Sequence, residues 1–190
     1  MNDRGYVNYF EILELDHDCK PGEVRKNYKK KMKDLLVEIS RSNLNQERRN
    51  HFLLDIARYN AAFYILRDNE RREKYWQDRS TVIELEESWR EASETNSNDA
   101  ERLRRSYEAA LRHFLSTYLE EYMLVAGRDV ECVEASNWDV AHERHAGPIL
   151  RHYRQRMHQE ILERLPFYAV TKPKVDWEER TRTVANILAG

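Results

Sequence analysis

At 190 residues and 22.9 kDa the chain holds one large domain or two small ones, since domains run to roughly 100–200 residues. Apolar residues make up 41%, enough for a buried core, while 35% charged residues with only 5 glycines and 4 prolines disfavour turn-rich sandwiches and Gly/Pro-rich disorder. Lysine plus arginine (32) nearly cancel aspartate plus glutamate (34), so the net charge of -2 implies no bulk attraction to nucleic acid or anionic lipid.

Tyr9, Phe10, Ile12, Leu13 and Leu15 form a short apolar cluster before the polar Asp16-His17-Asp18, about a helical turn and a half. Pro21 suits a first helical position, where the missing N–H has no partner to lose. From there Val24, Tyr28, Met32, Leu35, Leu36 and Ile39 recur at three and four residues, the stripe of an amphipathic helix. Its other face carries Arg25, Lys26, Lys29, Lys30 and Lys33. Ser40 to Asn45 reads as a loop, with Asn43 and Gln46 spaced as a helix start. Phe52, Ile56, Tyr59, Phe63 and Leu66 then hold one face of a third helix, and Ala61 and Ala62 allow close approach. Two long helices joined by so short a loop predict a helical hairpin, its open side covered by the short first helix.

The polar run from Ser93 to Asp99 reads as a linker. The domain boundary is placed near Ser80 to Asp99: a first domain over residues 1–80, a short helix and linker over 81–99, and a helical C-terminal domain over 100–190. Charge differs across it, with 17 basic against 14 acidic residues up to Ser80 and 15 against 20 beyond, or +3 and -5. No internal repeat is evident. Val82, Leu85 and Trp89 predict the short helix. Asn98 and Glu101, spaced as a capping pair, open a long one through Leu103, Tyr107, Leu111, Phe114, Tyr118 and Tyr122, with Gly127 as its stop. Ser136-Asn137-Trp138-Asp139 predicts another start, for a short helix ending at Gly147-Pro148. Leu150, Tyr153, Met157, Ile161 and Leu165 form a stripe up to Pro166, which cannot donate the next backbone bond. After an extended Lys172-Pro173-Lys174, residues Trp177, Val184, Ile187 and Leu188 suggest a last helix. No stretch alternates with period two long enough to demand a strand, so the fold class is all-α.

Four pieces of the first eighty residues resemble, in order, the J-domain of DnaJ-type co-chaperones. Asn8-Tyr9-Phe10-Glu11-Ile12-Leu13-Glu14-Leu15 stands for the family's Asp-Tyr-Tyr-x-x-Leu-Gly-Val, and Pro21-Gly22-Glu23-Val24-Arg25-Lys26-Asn27-Tyr28 for Pro-x-Glu-Ile-Lys-x-x-Tyr. Tyr59-Asn60-Ala61-Ala62-Phe63-Tyr64-Ile65-Leu66-Arg67-Asp68 stands for Ile-Asn-x-Ala-Tyr-x-x-Leu-x-Asp, and Glu70-Arg71-Arg72-Glu73-Lys74-Tyr75 for Glu-x-Arg-x-x-Tyr. The resemblance covers Val7 to Gln77 and is silent on the rest. It departs from the family where function is concerned: the His-Pro-Asp that ends the family's second helix falls on Leu36, Val37 and Glu38. That tripeptide makes the turn that engages a DnaK-type ATPase. Here Leu36 and Ile39 continue the apolar stripe, so the helix is expected to run on to about Ser40, and ATPase stimulation of the usual kind is expected to be lost. Family members lacking the tripeptide typically serve as regulators, adaptors or scaffold parts.

The basic row Arg25, Lys26, Lys29, Lys30 and Lys33 is the candidate partner-binding feature, because i, i+4 spacing puts charge on one side of a helix. In the family this face meets an acidic surface of the ATPase; the alternative is a solvated helix face. No aromatic residue interleaves with the row to stack on bases, so nucleic acid is not the expected partner. His142, His145, His152 and His158 cluster late, and His142 and His145 have a spacing that metal ligands use. No HExxH, GxSxG or GxxxxGK[ST] motif occurs, and no cofactor, small-molecule ligand or catalytic residue is expected. Cys132 near His113 or His142 makes no nucleophile pair on spacing alone, and an inert thiol is the better reading. Phe167 and Tyr168, in the extended stretch, are candidate exposed aromatics for a partner contact.

Cys19 and Cys132 form neither a CxxC pair nor a disulfide ladder, which fits a reducing compartment. No apolar run approaches the ~20 residues a membrane span needs, and Met1-Asn2-Asp3-Arg4-Gly5 has no apolar signal region. The expectation is a soluble, cytoplasmic, non-enzymatic J-like protein that binds another protein. Its partner is either a DnaK-type chaperone, bound without stimulating its ATPase, or a larger complex unrelated to chaperone cycling; a metal-dependent enzyme using the C-terminal histidines is the remaining alternative.

Overall fold

In the computed structural model, which describes residues 6–41, 43, 45–95, 97–138 and 140–164, every regular element is helical, with no strand among the described residues. Asn8 accepts a hydrogen bond from the Phe10 amide at 3.2 Å and opens α1 (Tyr9–Ile12), a single turn. The turn after it places Glu14 at φ 54°, in the left-handed region that disfavours a side chain. Asn27 closes this turn, its side-chain amide donating to the carbonyls of Leu13 at 2.9 Å and Glu14 at 3.2 Å. Glu14→Gly is therefore expected to raise the melting temperature by a few degrees, read by thermal denaturation, although it removes the exposed ion pair of Glu14 with Lys31.

α2 (Pro21–Arg41) buries Val24, Tyr28, Met32 and Leu35 and continues without a break through Leu36, Val37 and Glu38. Asn45, not Asn43, caps α3 (Gln46–Leu66) by accepting from the Arg48 amide at 2.9 Å. The two helices pair as a hairpin in which Tyr28 stacks on Phe63, ring centroids 4.3 Å apart and planes at 11°. α3 is buried almost all round: Leu54, Ala57, Ala61 and Ile65 are covered as fully as Phe52, Ile56 and Phe63. The spacing predicts one apolar face; the other sides are covered because α3 packs against six elements, α1, α2, α4 and three from later in the chain.

α4 (Asn69–Glu94) is one unbroken helix through Ser80, where the sequence predicts a separate short helix around Val82, Leu85 and Trp89. Its inward positions Tyr75, Arg79, Val82, Glu86, Trp89 and Ser93 recur at three and four residues, but three of the six are polar, which hides the periodicity. Glu86 can be buried because Tyr6 donates to it and Arg90 bonds it at 2.7 Å, while the Tyr6 and Tyr107 hydroxyls meet at 2.7 Å. Burial, the Tyr107 hydroxyl and Glu86 all push the Tyr6 phenol far up, so it keeps its proton. Tyr75 adds a second tie to the front of the chain, donating to the Val7 carbonyl at 2.7 Å and accepting from the Tyr9 amide at 3.0 Å.

α5 (Ala100–Ser116) begins at Asp99 without a side-chain cap bond, and Glu101, expected as half of a capping pair, instead salt-bridges Arg104 and Arg105, which push its carboxyl down to about 2. α5 packs along α4, with Trp89 stacked on Tyr107 at 5.9 Å. A π-helical turn, Thr117–Glu121, leads into α6 (Tyr122–Ala126), and the helix stops at Gly127 as the spacing predicts. The extra residue of a π-turn rotates the succeeding side chains about the helix axis. Gly127 is needed for a different reason than a left-handed stop, since its φ is -65°: the buried Trp138 indole lies against it.

α7 (Val130–Ser136), which the sequence pattern does not predict, ends where a capping box is expected to begin a helix. Ser136 donates back to the Cys132 carbonyl at 2.6 Å, and Asn137 turns the chain at φ 54°. α8 (Val140–Arg164) passes through Gly147 and Pro148 instead of ending there. Ala146, Leu150, Tyr153 and Ile161 form a buried stripe on both sides of the proline, and that packing outweighs the one backbone bond Pro148 forfeits. Leu165, Pro166, Phe167, Tyr168, Lys172-Pro173-Lys174 and the expected last helix at Trp177 to Leu188 lie outside the described residues. One hydrophobic cluster contains Leu13, Tyr28 and Phe63 together with Tyr107, Phe114, Leu119 and Leu150. Each such large side chain contributes about 1.5–3 kcal/mol by leaving water. No helix of the described residues is long and apolar enough to cross a membrane.

Candidate functional site

Arg25, Lys26, Lys29, Lys30 and Lys33 are all exposed along α2, as their spacing predicts. Arg25 differs from the lysines in being engaged within the chain. Its guanidinium grips the Glu131 carboxylate of α7 with two bonds, Nε at 2.7 Å and Nη2 at 3.0 Å. Lys26, Lys29, Lys30 and Lys33 make no ion pair among the described residues.

Glu131 is held from a second side by Arg67 at 3.3 Å, and Arg67 also pairs with Asp129 at 2.5 Å and 3.1 Å. The Asp129 carboxylate caps α7 by accepting from the Cys132 amide at 3.1 Å. Arg25, Glu131, Arg67 and Asp129 thus form one network that fastens α7 to both helices of the hairpin. The Arg25 bond holds the Glu131 carboxyl below its usual range; burial opposes the charge on Asp129, yet Arg67 and the Cys132 amide hold that carboxyl low as well.

Because both carboxyls ionise more readily in the folded chain, their contribution is complete above their ordinary values of 3.8 and 4.5 and is lost as pH falls below them. Arg67→Ala is expected to cost about 2–3 kcal/mol at neutral pH, since it strands Asp129 partly buried. The deficit shrinks in acid, where the carboxylates are protonated in both chains. Urea unfolding of the two proteins at neutral and acid pH checks this, and an unchanged deficit would contradict it.

Beneath the ionic network runs a buried polar chain. Tyr28 donates to Asn60 Oδ1 at 2.8 Å, Asn60 Nδ2 donates to Ser136 Oγ at 3.1 Å, and Ser136 donates onward to the Cys132 carbonyl. The Cys132 thiol points to the Asn60 carbonyl at 3.7 Å, and burial pushes it well above the ordinary thiol range, which disfavours the reactive thiolate. The groups that act on it include Tyr28, Asn60, Arg67 and Asp129.

The late histidines are not drawn together into a metal centre: no group of three or more His, Cys, Asp or Glu among the described residues is placed to hold an ion. His142 lies beside the Trp138 ring at 5.7 Å, His145 and His152 are exposed, and burial holds the partly buried His158 below the usual imidazole range.

Past Arg25, toward the C-terminal end of α2, α2 and α7 leave an open groove of about 430 Å³ lined by Lys29, Met32, Lys33, Leu36, Val37, Ser40 and Ala135. It includes two of the three positions where the resemblance would put His-Pro-Asp. Sequence reasoning missed α7, Asp129, Glu131 and Arg67. The available signal was Asp129 followed by Glu131, the acidic start of a helix, but its buried face is only Cys132 and Ser136, too short for periodicity to register. No protein-family model, no curated protein and no solved structure matches the chain.

Proposed function

We propose that this chain is a J-like protein that binds another protein through α2 and performs no catalysis itself, with a DnaK-type chaperone as the candidate partner, bound without stimulating its ATPase. The observation that carries this reading is the course of α2. The helix runs unbroken to Arg41 through Leu36, Val37 and Glu38, so there is no corner where the family's trigger would sit, while four lysines remain exposed beside it. The hairpin pairing of α2 with α3 also supports the resemblance, as does Glu14, whose left-handed backbone occupies the place of the family's glycine.

The test is a pull-down from the source cell using the intact chain and a variant with Lys26, Lys29 and Lys30 all changed to Glu. Recovery of a DnaK-type chaperone by the intact chain alone is the expected result. Recovery of the same non-chaperone protein by both would move function to the C-terminal half. A second reading, a subunit of an assembly unrelated to chaperone cycling, draws on the Arg25–Glu131 pair: α7 already takes up one end of the row that a chaperone would meet.

A further inference from the structure

The groove between α2 and α7 differs chemically from the lysine row beside it. Its floor is apolar, made by Met32, Leu36, Val37 and Ala135, and its polar rim is Lys29, Lys33 and Ser40, with no acidic residue lining it among the described residues. Val37, at 38% exposure, is one of two large aliphatic residues left exposed among the described residues. From Lys29 to Ser40 the groove follows about three turns of α2, roughly 16 Å at 1.5 Å per residue.

The chain itself shows what this face of α2 accepts. One turn before Lys29, the acidic helix α7 lies against α2 with Glu131 bidentate on Arg25, and Ala135 of the same helix forms part of the groove wall. An occupant of the groove would extend that contact, meeting two ammonium groups at the rim and aliphatic side chains below.

We propose that this groove is the docking site for an acidic amphipathic helix of another protein, whose apolar stripe seats on Leu36 and Val37 and whose carboxylates pair with Lys29 and Lys33. This rests on the reading of α2 as a partner-facing surface and narrows it: a merely acidic surface would satisfy the lysines and leave the apolar floor in water. Helix-in-groove recognition uses apolar anchors at three- and four-residue spacing, which gives the partner a recognisable pattern.

The experiment is selection of a displayed library of helical peptides on the full chain at physiological ionic strength. The selected peptides are expected to combine Asp or Glu with an apolar stripe. Their affinity should fall about tenfold or more for each of Val37→Asp, Ala135→Arg and the paired Lys29→Glu and Lys33→Glu changes, in variants whose melting temperature is unchanged.

If acidic peptides with alanine at every stripe position bind equally well, the groove is overturned while the basic-row reading stands. Binding indifferent to the lysine changes but sensitive to Val37→Asp overturns the acidic occupant and the row reading together. Failure to enrich any peptide overturns the proposal, as does a concentration-dependent dimer abolished by Val37→Asp, which would make a second copy the occupant.

Discussion

Replacing Asn60 with alanine is expected to lower the unfolding free energy by about 2–4 kcal/mol, because two buried hydroxyls lose a partner at once. Asn60 is fully buried on α3, accepts from Tyr28 of α2 and donates to Ser136 of α7, so one amide joins three helices. Without it, the buried Tyr28 hydroxyl is left with only the Cys132 sulfur, a weak acceptor, and burial already drives its phenol far above the usual range. Ser136 keeps its bond to the Cys132 carbonyl and loses only what it receives. For a chain of this size the loss corresponds to a melting temperature roughly 5–15 °C lower. A double change of Asn60 to Leu and Tyr28 to Phe, which removes both ends of the lost bond, should recover part of it, measured by urea unfolding. A cost below about 0.5 kcal/mol for Asn60→Ala would mean that the polar chain does not hold the helices together.

The second large effect is expected at Gly127. A Cβ there would lie 2.4 Å from Trp138 Nε1 and 3.0 Å from two carbons of the same ring. Trp138 is 2% exposed and has little room to retreat, so Gly127→Ala is expected to cost about 1–3 kcal/mol through overpacking. Trp138→Leu makes space at the expense of buried area, about 2–4 kcal/mol by itself. The two changes share one contact and should not add: the double variant is expected to be more stable than the sum of the single costs predicts. Strict additivity in a thermal-denaturation cycle would show that Trp138 does not press on Gly127.

Helices whose buried faces are apolar throughout were legible in the residues. The stripe Val24, Tyr28, Met32 and Leu35 identifies α2, and its continuation through Leu36 carries the expectation of an unbroken end. α4 was not legible as one helix because its inward face includes Arg79, Glu86 and Ser93, and Glu86 joins that buried face only because Tyr6 from the front of the chain donates to it beside Arg90 of its own helix. Pro148 misled for a related reason: its local cost is fixed by chemistry, whereas the compensating burial of Ala146, Leu150 and Tyr153 depends on α3 and on helices distant in sequence.

The basic row of the candidate site was readable residue by residue, since i, i+4 spacing depends on the helix alone. Its division was not. That Arg25 is taken by Glu131 and the lysines are not is decided by where α7 packs, a contact between positions 106 residues apart. The apolar groove was hidden likewise, for Ala135 reaches Leu36 and Val37 only in the folded chain.

The most direct test of the central claim is steady-state ATP turnover by a DnaK-type chaperone in the presence of the purified full chain at saturating concentration. The unbroken course of α2 through Leu36, Val37 and Glu38 predicts turnover within about twofold of the chaperone alone, and stimulation of about tenfold or more would contradict it.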